Sequence, residues 1–210
     1  MAYDLEEQEK IATLKAWWND NGNMVLVVIA AIAIAVAGWR GWVWHQNNQS
    51  LAAGGVYAQL TKGIAANDAK AVRDASGALI ENYPRSLYAS MGALASAKFL
   101  FDREDLKAAK LQLEWVAQKS PAAELRDIAR LRLAGVLLDE KAYDEALKVL
   151  AEKHAAPFEA QYALLRGDIL VAKDQAEEAK AAYKLALEKS GKHGGDFRAG
   201  VQMRLDALGG

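Results

Sequence analysis

The side chains with metal or proton chemistry to offer are few. The three histidines, His45, His154 and His193, are scattered, and none has a second histidine at helical ligand spacing. A metal centre needs two or three convergent ligands, so no metal site is expected. Cysteine is absent, which removes disulfides, thiolate zinc sites, iron–sulfur clusters and a cysteine nucleophile. The neighbouring carboxylates Glu177 and Glu178 lie in a charged connecting segment. Nothing there would raise one pKa while keeping the other group ionised, as acid–base catalysis requires. Gly191-Lys-His-Gly-Gly195 is glycine-rich, but it follows a helical pattern rather than a strand. A loop between helices is expected there, not a phosphate cradle. Nucleophile-elbow and dinucleotide motifs are missing as well. The expectation is no catalytic residue, no cofactor and no enzyme, so function must reside in surfaces.

The elements that present those surfaces come in two materials. The chain has 210 residues, 52% hydrophobic and 25% charged, with 16 Gly and 3 Pro, enough apolar material for a folded core. Lys plus Arg is 26 and Asp plus Glu is 27, and this balance argues against a nucleic-acid partner. Alanine is abundant and apolar residues do not alternate, so an all-α fold is predicted.

Asn21 to Trp39 is a run of 19 residues without a charge, prolonged beyond Arg40 by Gly41-Trp-Val-Trp44. About 20 apolar residues span about 30 Å of hydrocarbon as a helix. Trp17 and Trp18 flank one end and Trp39, Trp42 and Trp44 the other, as interfacial belts do. Residues 21–44 are therefore read as a transmembrane helix, after a tail of residues 1–20 and before a juxtamembrane connector at 45–55. A cleaved signal peptide is the rival, because Ala35-Val-Ala37 imitates a cleavage site. The acidic leader and the tryptophans after that point favour an anchor.

Lys10 and Lys15 precede the span against Arg40 at its exit, a narrow margin for a cytoplasmic N-terminus and a translocated remainder. Ala30, Ala33, Ala37 and Gly41 form a stripe of small residues suited to pairing with another membrane helix, although alanine is common throughout. In the tail, Leu5, Ile11, Leu14, Trp17 and Trp18 recur at helical spacing, which fits either an interfacial helix or a solvated tail.

Residues 56–210 repeat. Pro84, Pro121 and Pro157 are 37 and 36 residues apart, each between two helical patterns. Ala97 precedes Ala109 by 12 residues, and the same interval separates Ala134 from Ala146 and Gly167 from Ala179. Small residues there let two helices of a hairpin approach, and short charged segments join them. A period in the thirties built from two helices indicates a hairpin array. It resembles the tetratricopeptide repeat, weakly in a first copy over Gly55 to Tyr83, which lacks a clear small residue in its first helix. Asp196 to Leu208 reads as a capping helix.

The order of parts extends the resemblance. Leu14-Lys-Ala-Trp-Trp-Asn-Asp-Asn-Gly22, Gly38-Trp-Arg-Gly-Trp42, Leu131-Arg-Leu-Ala134 and Leu165-Arg-Gly-Asp168 are similar to tracts of the YfgM-type ancillary subunits of the bacterial SecYEG translocon. That resemblance implies a single-pass protein of the Gram-negative inner membrane with its repeat domain in the periplasm. It also implies partners: the SecYEG translocon, a membrane-anchored periplasmic chaperone of the prolyl-isomerase type, and newly exported polypeptides. It carries no reaction.

In a stacked array the first helices line a concave groove. Met91, Leu94, Lys98 and Phe101, then Ile128, Leu131, Gly135 and Leu138, then Gln161, Leu164, Asp168 and Val171 fall on that face. About half are expected in the core, and the rest offer an apolar site for a partner segment. The Lys and Asn of a carboxylate-clamp repeat are missing, since the paired positions read Leu94 and Lys98, Leu131 and Gly135, and Leu164 and Asp168. The function expected is a non-enzymatic, membrane-tethered interaction module. A structural coordinator of envelope assembly or cell division is the alternative.

Overall fold

A computed structural model describes residues 2–191 and 195–209, which form two units, Met1–Gln49 and Ser50–Gly210. Among the described residues there is no β-strand. The all-α prediction holds.

The first unit is helical throughout its described residues, as part of α1 (Ala2–Ala65). No proline interrupts the run. Thr13 and Asn21 donate from their side chains to the carbonyls of Glu9 and Trp17, four residues back, so their polar groups are satisfied on the helix itself. The apolar side chains from Leu26 to Val36 remain exposed on every face. A helix that is apolar all round and unburied by protein is matched to lipid, where its backbone groups bond internally. Residues 45–55, expected as a connector, are helical too and belong to the same α1.

The second unit begins with the end of α1. It continues through α2 (Ala69–Asn82), α3 (Leu87–Phe101), α4 (Leu106–Lys119), α5 (Ala123–Asp139), α6 (Tyr143–Leu150), α7 (Glu159–Ala172), α8 (Ala176–Lys189) and α9 (Gly195–Ala207). A 3₁₀ turn, Ala156–Phe158, carries Pro157 at the α6–α7 joint. Consecutive helices pack as hairpins, and α9 packs on α8 as the cap.

Each hairpin turns on one residue in the left-handed region: Asn67, Glu104, Lys141 and Asp174. After each, a backbone N–H bonds back five residues, Asp68 to Gly63, Asp105 to Leu100, Ala142 to Leu137 and Gln175 to Leu170, at 2.8–3.0 Å. This closes the first helix with a Schellman-type ending. Asp68 and Asp105 also cap the following helix, accepting from Ala71 and Ala108.

The predicted small residues lie at the seams. Ala97, Ala109, Ala134, Ala146 and Ala179 are all buried. At Gly167 a β-carbon would stand 2.3 Å from the Tyr183 ring, so only glycine admits that aromatic between α7 and α8. In the first hairpin the same register holds Leu60 and Val72, both buried. Its close approach has moved to Gly63, where a β-carbon would stand 3.1 Å from that of Ala71. The first repeat therefore has its small residue three positions later than the others.

The α6–α7 connection is held by a group that pattern reading passed over. Asp127 is 3% exposed; its carboxylate accepts from Arg130 at 3.1 Å and from the Ala155 N–H at 3.0 Å. The Tyr162 hydroxyl donates to the Asp127 carbonyl. A buried carboxylate is tolerable only when paired in this way.

Candidate functional site: the repeat groove and the membrane anchor

Between α3 and α5 lies an open cavity of ≈ 410 Å³. Phe101 and Leu138 form its apolar walls, and Ala97, Leu113 and Val136 its floor. Gly135 keeps it open, because a β-carbon there meets nothing within 4 Å. Lys98 and Asp102 mark one rim, paired at 2.7 Å, and Arg132 and Asp139 mark the other. An apolar slot between mixed charges suits an apolar side chain carried on a peptide or helix.

The predicted groove residues divide. Lys98, Phe101 and Leu138 meet in this cavity. Met91 and Val171 are exposed apolar residues elsewhere on α3 and α7, and Gln161 is exposed near the start of α7. Leu94 is buried, while Ile128, Leu131 and Leu138 pack partly against the same core. Asp168 is engaged internally, accepting from the Tyr183 hydroxyl at 2.9 Å and from Arg204 Nε at 3.0 Å. It thereby ties α7 to α8 and α9. Burial, with that carboxylate beside it, pushes the Tyr183 hydroxyl pKa up.

Arg132 and Asp139 were not singled out in the sequence. They follow Ile128 and Gly135 by four residues, and one more helical step would have reached both.

His154 is a packing residue. Its ring stacks on Tyr162 with centroids 3.8 Å apart, and its nitrogens stand 3.1 Å from the Glu152 carbonyl and 3.0 Å from the Glu159 carboxylate. His193 and the side chain of His45 lie outside the described residues. The loop expected at 191–195 falls mostly outside them too.

In the first unit Trp17, Trp18, Trp39, Trp42 and Trp44 are exposed, and the rings of Trp39 and Trp42 are 5.6 Å apart. Trp18 lies along the helix over Gly22, where a β-carbon would come within 3.2 Å of the indole nitrogen. Ala30, Ala33, Ala37 and Gly41 are exposed along the span.

A family model described as "Tetratricopeptide repeat-like domain" matches residues 15–210. The chain is 31% identical over 188 residues to the ancillary SecYEG translocon subunit of Haemophilus influenzae, covering 90% of this chain and 92% of the relative. It is 31% identical over 217 residues to the subunit of that name from Neisseria gonorrhoeae, covering 99% and 100%. The Escherichia coli protein of that name is 25% identical over 182 residues, covering 87% of each. No solved structure matches significantly.

Proposed function

Because this chain belongs to the ancillary SecYEG translocon subunit family, we propose that it is a single-pass inner-membrane interaction module that serves the Sec translocon from the periplasmic side. The observation that carries the reading is one chain joining a lipid-matched helix to a repeat unit with an open apolar groove. The translocon holds the anchor, and the groove receives a membrane-anchored chaperone of the prolyl-isomerase type or a newly exported segment. Confinement beside the exit channel raises effective concentration, so weak groove contacts suffice. The roles are those of an ancillary, non-catalytic protein.

In this reading the N-terminal tail is cytoplasmic, the belts of Trp17 and Trp18 and of Trp39, Trp42 and Trp44 set the depth of the span, and the stripe of Ala30, Ala33, Ala37 and Gly41 faces another membrane helix.

The test is affinity purification of the full chain from its native membranes in mild detergent, beside a chain whose residues 1–44 are replaced by an unrelated membrane helix. Translocon subunits and a periplasmic chaperone should accompany the first and be depleted from the second. Recovery of division or cell-wall proteins without translocon would instead establish the structural-coordinator role.

A further inference from the structure

The cavity between α3 and α5 carries three features in a fixed order along α5. Arg132 comes first, Gly135 stands three residues on and Asp139 seven, so all three share one side of the helix and span about 10 Å. Both charged side chains are exposed, and neither has an ion-pair or hydrogen-bond partner among the described residues. On the facing rim Lys98 and Asp102 satisfy each other. The charge left to read is positive at one end of the cavity and negative at the other.

Gly135 is a separate observation. Glycine inside a helix is less stable than alanine, and a β-carbon here would meet nothing within 4 Å, so packing within the chain does not demand it. It leaves bare backbone between the walls formed by Phe101, 38% exposed, and Leu138. The order of features belongs to this seam and not to the repeat. The residues 37 positions earlier, on α3, are Ala95, Lys98 and Asp102, and those 33 positions later, on α7, are Leu165, Asp168 and Ala172.

The spacing selects the occupant. In an extended strand, side chains on one side recur at about 7 and 13 Å, and none falls near 10 Å. A helix returns to the same side after seven residues, about 10 Å on, with another residue between them at three or four. Bare backbone also admits close approach by a second helix.

We propose that the cavity docks an amphipathic helix of a protein partner lying along α5. It sets a carboxylate against Arg132, a large apolar side chain over Gly135 between Phe101 and Leu138, and a basic side chain against Asp139. The proposal rests on the groove-docking role given above and names the chemistry of its partner.

The test titrates full-length protein in mild detergent into fluorescently labelled, alanine-based peptides of about 20 residues, long enough to form a helix. One carries Glu, Leu and Lys at i, i+3 and i+7; a second has Glu at both outer positions and a third has Lys at both. Wild type should bind the mixed-charge peptide about fivefold or more tighter than either control. Arg132→Glu, at an exposed position, should shift the preference to the two-lysine peptide. Gly135→Leu fills the cavity and should weaken binding of the mixed-charge peptide at least about tenfold, with a thermal midpoint no lower than that of wild type. Equal affinity for the three peptides, or none for any, overturns the proposal. So does undiminished binding by Gly135→Leu or an unchanged preference in Arg132→Glu. Translocon recovery with the wild-type chain, without peptide binding, would leave the Sec-associated reading standing and remove this one. Peptide binding of the expected pattern without translocon recovery would support the docking site and remove the Sec-associated reading.

Discussion

Tyr162 and Tyr183 show how single polar atoms hold the repeat seams. Tyr162 is 1% exposed, and its hydroxyl is donated to the Asp127 carbonyl at 3.1 Å. Burial, with the Asp127 charge nearby, pushes its pKa up from 10.0 to about 12. The unfolded chain ionises this phenol first, so the stabilisation is complete below about pH 10 and is lost as pH rises towards 12. Once the unfolded phenol is ionised, the loss approaches about 1.4 kcal/mol per pH unit. Denaturant melts from pH 8 to 12 in mild detergent should fall more steeply for wild type than for Tyr162→Phe. At neutral pH the variant should be about 1 kcal/mol less stable, through the lost hydrogen bond. Parallel slopes would show that this ring is not protected from ionisation.

At the scale of elements, the hairpin endings repeat more faithfully than the helices do. The left-handed residues Asn67, Glu104, Lys141 and Asp174 are 37, 37 and 33 apart. At Glu104 and Lys141 residue preference does not favour this conformation, so there it is imposed by the helix ending. Asn and Asp adopt it readily; Glu and Lys carry the usual penalty of about 1–2 kcal/mol. Lys141→Gly removes that penalty and adds unfolded-state entropy, for a net stabilisation of about 0.5–1 kcal/mol measured by denaturant unfolding. A destabilised Lys141→Gly would mean that the Lys141 side chain contributes more than its backbone strain costs. The second helix of one hairpin is also bridged to the turn of the next, Arg73 to Asp105 at 2.7 Å and Lys110 to Glu140 at 2.9 Å, with Asp144 bonded to Lys173. The Arg73 and Lys110 contacts hold the Asp105 carboxyl below, and raise the Lys110 ammonium above, their ordinary pKa values. Such surface pairs each contribute at most about 1 kcal/mol, so their effect is on register more than on stability.

At the scale of the whole molecule, topology depends on very little charge. Lys10 and Lys15 oppose Arg40 alone across the span, and acidic residues count for little in setting orientation. On the proposed orientation, protease added to intact spheroplasts should cut the repeat unit and spare the tail. Replacing Lys10 and Lys15 with Gln while adding two lysines directly after Trp44 should invert a measurable fraction of the chains. Protection of the repeat unit in the wild-type protein would place it in the cytoplasm and contradict the periplasmic role.

Apolarity and periodicity reside in contiguous residues, which is why the membrane-matched run from Asn21, the hairpin period, the seam alanines from Ala97 to Ala179 and the final capping helix were legible in the sequence alone. Position on a face is another matter. Leu94 and Phe101 share the predicted concave register, yet one is 7% and the other 38% exposed, because the packing of the next helix covers one and not the other. Arg132 and Asp139 join Lys98 and Asp102 around a single cavity only when α3 and α5 are brought side by side. Asp127 is an ordinary charged residue until the α6–α7 connection folds over it. Periodicity along one helix assigns a residue to a face, but the crossing of separate helices, set by side-chain volumes far apart in the chain, decides whether that face becomes core, groove or open surface.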